Sequence, residues 1–237
     1  MSTAPFRECL DEGRCFLFDG STASALFERG IALNRSFDEC NLKNPELLHA
    51  IHAEFLVAGA QVLTTNTWGA NRARLSGYGL EAQVEALNRA GASLAREAVD
   101  AHGAPAWVAG CLGPLGLRIE PWGPTSFDDA RSCFREQAQA LLDGGVDLFV
   151  LESFEDLNEI HQALLAIRDL TSLPVAAMMT PNLEGRAQFG TEPDWFAQKL
   201  DEWGADLIGA NGGNGPAPQL QLLERFRYLR AEGRAAA

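Results

Sequence analysis

Residues able to bind or react recur at the ends of short apolar runs. Asp19-Gly20-Ser21-Thr22 follows one such run, Thr64-Thr65-Asn66-Thr67-Trp68 a second, and Gly110-Cys111-Leu112-Gly113-Pro114 a third. Glu152-Ser153-Phe154, Met178-Met179-Thr180 and Asn211 close three more. Together these ends offer two carboxylates, several hydroxyls and amides, and many backbone N–H groups beside glycines. Such a set suits an amino acid. Carboxylate side chains hold the ammonium, and N–H and hydroxyl groups hold the acid. The set contains no histidine and no Ser–His–Asp arrangement. Cys111 is its one thiol. From Asn211 to Pro216 nothing can act as a nucleophile, a strong base or a thiolate ligand. A phosphate-binding nest in GANGGNGP is the weaker reading, because no P-loop Lys-Ser/Thr is present and no basic residue follows before Arg225.

The elements that would position these groups alternate regularly. β-rich apolar runs occur at Cys15–Phe18, Gln61–Thr65, Ala106–Gly110, Leu148–Leu151, Val175–Met179 and Leu207–Ala210. Helical spacing predicts helices over Pro45–Ala58, Leu80–Ala101, Ser126–Gly144, Asp156–Asp169, Glu192–Trp203 and Pro218–Arg230. Asn44-Pro45 reads as an N-cap followed by proline at the first helical position. Ser126 and Asp156 stand at two further helix starts. AGAQV, GGVDL and WGADL repeat one device, in which a glycine ends a helix and the next strand begins almost at once. The pattern predicts an α/β fold with a parallel sheet in one undivided domain, residues 1–237. A closed (β/α)₈ barrel of the TIM type needs eight units, and about six are countable, so an incomplete barrel is expected. All six strand ends would then face one mouth. A doubly wound sheet lacks support, because no G-x-G-x-x-G follows the first strand. An open barrel exposes its edge strands, which predicts a homo-oligomer or a partner domain covering them.

Bulk composition excludes other classes. A formal net charge of -13 argues against nucleic-acid binding, which needs clustered Lys and Arg. No apolar run approaches the roughly 20 residues that span a bilayer, and the N-terminus has no apolar signal core. A cytoplasmic protein is expected. The five cysteines lack CxxC spacing and read as free thiols, mostly buried. His49 and His52 share a helix face but no ligand pattern completes a zinc site around them, and solvated positions are expected for both.

Several segments carry a family resemblance. DGSTASALFERG and FDECNLKNPELLHAIHAEFLVAGAQVLTTNTWGANRARLSGYGLE resemble the homocysteine S-methyltransferase family, and VAGCLGPLG, LFVLESFEDLNEI, MMTPNLEGRAQFGTEPDWFAQKL and GADLIGANGGNGP continue it in order. The likeness is strongest to homocysteine-binding domains of bacterial methionine synthases and of homocysteine methyltransferases fused to methylenetetrahydrofolate reductase. It implies a (β/α)₈ barrel and methyl transfer to the homocysteine thiol, giving methionine. It also implies homocysteine or a related amino acid as partner. Asp19, Gly20, Thr65, Glu152 and Asn211 are the substrate-binding positions it marks, with Glu152 toward the amine. The catalytic residues stay unassigned.

In the family, zinc held by three cysteines binds the homocysteine sulfur as a thiolate. Here Gly212 stands where the first zinc cysteine belongs, and the sequence does not reach the strand that carries the other two. No metal site is therefore expected in this chain. Ala23-Ser24 replaces the usual Gly-Thr, and Trp68 the commoner Phe. A non-catalytic amino-acid-binding module of the same fold is the alternative.

Overall fold

The computed structural model describes residues 4–182, 184–213 and 215–231. Helices α1 (Phe6–Asp11), α2 (Thr22–Glu28), α3 (Cys40–Lys43) and α4 (Pro45–Val57) precede strand β1 (Val62–Thr64). Then follow α5 (Arg72–Ser76), α6 (Val84–His102), β2 (Trp107–Leu112), α7 (Phe127–Asp143), β3 (Leu148–Phe154) and α8 (Leu157–Arg168). Strand β4 (Val175–Met179), α9 (Pro193–Glu202), β5 (Leu207–Ala210) and α10 (Pro216–Ala231) complete the order. The five strands pair in sequence order, all parallel. Among the described residues the sheet does not close, in keeping with an incomplete barrel.

The first expected strand, Cys15–Phe18, is the exception. It meets the sheet through a single parallel bridge, Phe18 to Val62. The Leu17 carbonyl accepts from the Gln61 and Val62 amides, and the Asp19 amide donates to the Val62 carbonyl. With one neighbour only and Leu17 57% exposed, too little of this segment is buried to extend a ladder. It still delivers Asp19 to the rim, as a sixth strand would.

The sheet is apolar on both faces, as a buried parallel sheet must be. Leu63, Val108, Phe149, Leu151 and Ala177 pack outward against the helix layer, with Phe134, Ile160 and Phe196. Val62, Trp107, Cys111, Val150 and Ala176 face the other way. Helix α1 plugs the lower part of that inner face: Phe6 and Phe16 meet Trp107 edge-on and each other at a tilt, with ring centres 4.7–5.6 Å apart.

The three repeated sequence devices share one further role. Gly59, Gly145 and Gly204 take positive φ at the helix ends, as a left-handed cap requires. The polar residue two places on then accepts from the start of the preceding strand. Gln61 Oε1 takes the Leu17 amide at 3.2 Å, Asp147 Oδ2 the Val108 amide at 2.7 Å, and Asp206 Oδ2 the Val175 amide at 2.8 Å. Arg96 and Arg168 each donate to the aspartate above them at 2.6 Å.

Two local expectations resolve differently, and the cysteines are as expected. Ser126 and Asp156 cap α7 and α8 through their side chains, but Asn44 makes no side-chain cap, and Pro45 alone sets the first turn. His52 is buried rather than solvated, at 1% exposure, because its face of α4 turns inward with Leu48, Ile51 and Leu56. Burial drives its pKa down to about 4, so the ring is neutral. All five cysteines are free: Cys9, Cys40 and Cys111 buried, Cys133 partly buried and Cys15 exposed. No helix among the described residues is long and apolar enough to cross a membrane.

Candidate functional site

A cavity of about 1040 Å³ opens at the carboxyl ends of β1, β2 and β3. Its floor holds Asp19, Thr65, Cys111 and Glu152 together, and Gly20 lines its wall. Asn211 belongs to the same rim but does not line this cavity. Its Oδ1 accepts from the Ser153 amide at 2.9 Å and its carbonyl from Thr180 Oγ1 at 2.9 Å. Asn211 thus knits the ends of β3, β4 and β5. Ser153 sits at φ 63°, a strained value for a residue with a side chain, and the Asn211 bond helps hold it there.

Thr65 is also committed to the scaffold. Cys111 N–H donates to Thr65 Oγ1 at 2.9 Å, and Thr67 Oγ1 donates to the Cys111 carbonyl at 2.8 Å. The two threonine hydroxyls lie 2.6 Å apart. Since Thr67 spends its proton on the carbonyl, Thr65 must donate to Thr67. The three bonds form a closed circuit that locks the end of β1 to that of β2. Trp68 adds a second tie, its indole N–H donating to the Glu152 carbonyl at 3.1 Å. Gly113 is required beneath it: a Cβ there would lie 2.4 Å from the indole ring.

The charged groups are held in tension. Asp19 accepts from the Thr64 amide and hydroxyl, each at 2.9 Å. Burial nonetheless raises its pKa to about 7, and the nearby Glu152 adds to the rise. Burial likewise pushes Glu152 above the usual carboxylate range, against a 3.4 Å bond from the Cys111 thiol. The Cys111 thiol is driven well above its ordinary value, first by burial and then by Glu152, so it stays protonated. Neither carboxylate has an ion-pair partner among the described residues. A ligand cation would relieve both.

Two residues of this cavity carried no strand-end signal. Asp38, on a single helical turn before α3, is buried and accepts from Ser36 Oγ at 2.8 Å and the Gly69 amide at 3.0 Å. Arg74, on α5, stacks its guanidinium over Trp68 at 4.3 Å from the ring centre. Only its place just after the TNTWGAN turn could have pointed to it.

The homocysteine S-methyltransferase sequence profile matches residues 16–235. The chain belongs to the homocysteine S-methyltransferase family. Methionine synthase of Mycobacterium tuberculosis is 29% identical over 235 residues, covering 93% of this chain. The rat S-methylmethionine–homocysteine S-methyltransferase is 32% identical over 221 residues, again covering 93% of the chain. The chain spans 19% of the length of the first and 58% of the second. The homocysteine methyltransferase MmuM of Escherichia coli, in its metallated form, superposes with a TM-score of 0.82 at 26% identity, over 95% of this chain and 83% of that one. Its apo form gives a TM-score of 0.78 at the same identity.

The metal that this family implies finds no matching donor set. Among the described residues no group of three or more His, Cys, Asp or Glu is arranged to hold an ion. Gly212 takes φ 67° and contributes no side chain; a Cβ there would sit 3.3 Å from Thr180 Oγ1 and 3.4 Å from Ser153 Oγ. Cys111, the thiol lining the cavity, bonds to the Glu152 carboxylate, and no second thiol lines the cavity with it. The described residues do not fit a thiolate-bound zinc.

Proposed function

We propose that this homocysteine S-methyltransferase domain binds homocysteine, the acceptor of methyl transfer, with its ammonium between Asp19 and Glu152. The observation that carries the reading is the pair of desolvated, unpaired carboxylates at the base of one cavity. Each is costly to ionise alone, and an ammonium placed between them would hold both in the charged form. A Cβ at Gly20 would lie 2.9 Å from the Phe55 ring, so glycine lets this segment pack closely on α4, while Thr65 and Asn211 keep the strand ends in register around the ligand. The family and its methyltransferase relatives give the reaction class: transfer of a methyl group to the acceptor sulfur, yielding methionine. The residues described supply binding and orientation of the acceptor.

A cytoplasmic setting, which keeps free thiols reduced, fits five unpaired cysteines. A second copy or a partner domain would cover the open edge of β5. The reading is tested by calorimetric titration of homocysteine into the protein and into Glu152→Gln, with a methyl-transfer assay alongside. Binding to the native chain and a loss of at least tenfold in the variant are expected. Equal affinity for both proteins would remove Glu152 from the site.

A further inference from the structure

A second cavity, of about 430 Å³, adjoins the first, and the chain after β2 is their common wall, since Gly116 and Leu117 line both. One peptide group in that wall is gripped from two sides. The Pro114 carbonyl accepts from Arg74 Nε at 2.6 Å, and the Leu115 amide donates to Glu159 Oε1 at 2.7 Å. Arg74 comes from α5 and Glu159 from the first turn of α8, so the peptide bridges two helices. Asp38 makes a similar grip one connection earlier, where its Oδ1 accepts from the Gly69 amide at 3.0 Å in the turn after β1. That approach is tight: a Cβ at Gly69 would lie 2.8 Å from Asp38 Oδ2.

The three side chains also answer one another's charge. Asp38 and Glu159 are 8% and 6% exposed. Burial raises the pKa of both, that of Glu159 to about 7, with Asp156 and Glu155 adding to the rise at Glu159. Arg74 is the cation that opposes both rises, and the two acids in turn offset the burial of its guanidinium. Removing the cation from such a set leaves buried negative charge without compensation, which loosens whatever those carboxylates hold. Trp68 carries the arrangement to the floor of the larger cavity. Arg74 lies over its ring at 4.3 Å, and its indole N–H donates to the Glu152 carbonyl.

We propose that Asp38, Arg74 and Glu159 are positioning residues: an acid–arginine–acid array that locks the connections after β1 and β2 into one wall and so sets the shape of the larger cavity, without itself binding the ligand. The effect on ligand affinity rests on the amino-acid reading of that cavity. The locking does not, because it belongs to the ligand-free chain.

Amide hydrogen exchange of the ligand-free protein at pH 8 tests the locking, in the native chain, Arg74→Met, Arg74→Lys and the double variant Arg74→Met with Glu159→Gln. Arg74→Met should speed exchange by about tenfold or more at both Leu115 and Gly69, although an arginine can accept a hydrogen bond from neither amide. Arg74→Lys, which keeps the charge, should speed it less. Glu159→Gln keeps an acceptor for Leu115 and removes the uncompensated charge, so the double variant should regain protection at Leu115. Should Arg74→Met fail to fold, recovery of a cooperative melt in the double variant is the same result. Unchanged exchange at Gly69 and Leu115 in Arg74→Met, or a double variant no better protected than Arg74→Met, would overturn the proposal. Calorimetric titration of homocysteine into the same proteins tests the positioning. Affinity should fall in Arg74→Met and recover in part in the double variant, a rescue that direct contact between Arg74 and the ligand would not give. Equal affinity in the native chain and Arg74→Met would also overturn the proposal. If homocysteine does not bind the native chain, the amino-acid reading fails, and the exchange pattern alone decides whether the array locks the wall.

Discussion

Replacing Asp19 by Asn should make the ligand-free protein more stable at alkaline pH and leave it nearly unchanged in acid. The folded-state pKa of about 7 lies above the unfolded value of 3.8, so the folded state holds its proton more tightly. Stability from that proton is fully present below 3.8 and is lost as pH rises through 7. The difference of about three pH units corresponds to about 4 kcal/mol as an upper limit. Asp19 is only partly buried, and solvent screening reduces that figure. Asn also keeps one acceptor for the Thr64 pair, at a loss of about 1 kcal/mol. A net gain of about 1–2 kcal/mol at pH 8 remains, equivalent to roughly 2–8 °C in Tm for a chain of this size. Urea denaturation of both proteins at pH 4.5, 6 and 8 measures it. A gap between them that stays constant across this range, or one that narrows as pH rises, would refute the account of Asp19 as a carboxylate ionised at a cost.

Three further substitutions probe the scaffold. Thr67→Val removes the central hydroxyl of the closed circuit and should cost about 1–3 kcal/mol in chemical denaturation, because the Cys111 carbonyl and the Thr65 hydroxyl lose their partners. Gly113→Ala drives a methyl into the Trp68 indole. It should cost about 1–3 kcal/mol and change the tryptophan fluorescence, and an unaltered spectrum would count against the packing described. Arg168→Ala strips one of the bonds that outweigh burial and hold Asp206 below its ordinary pKa. Because that stabilisation is present above pH 3.8 and lost as pH falls through the lower folded value, the destabilisation, about 2 kcal/mol at pH 7, should shrink in acid melts near pH 3.

Strand ends were the most legible part of the sequence, because a parallel sheet buries its strands on both faces and leaves apolar runs with abrupt polar stops. Asp19, Thr65, Cys111 and Glu152 could therefore be picked out as one rim. What the residue types could not show is how each is used. Thr65 and Asn211 look like ligand-binding groups, yet their hydrogen bonds are largely spent between strands, which depends on register rather than on identity. Asp38 and Arg74 stand on short helical pieces off the strand ends, where no periodicity marks them. The short helices α1, α2, α3 and α5 are stabilised by tertiary packing more than by any pattern of their own. His52 misled for a related reason: two histidines three apart define a face, but only α4's packing decides which way that face turns.

The central claim is that an ammonium takes the place of a proton between Asp19 and Glu152. Calorimetric titration of homocysteine at pH 6 in two buffers of different ionisation enthalpy tests it directly. Binding should release protons, seen as a buffer-dependent enthalpy, and affinity should rise between pH 6 and 8 as Asp19 ionises through about 7. Binding with no proton release and a flat pH profile would contradict it.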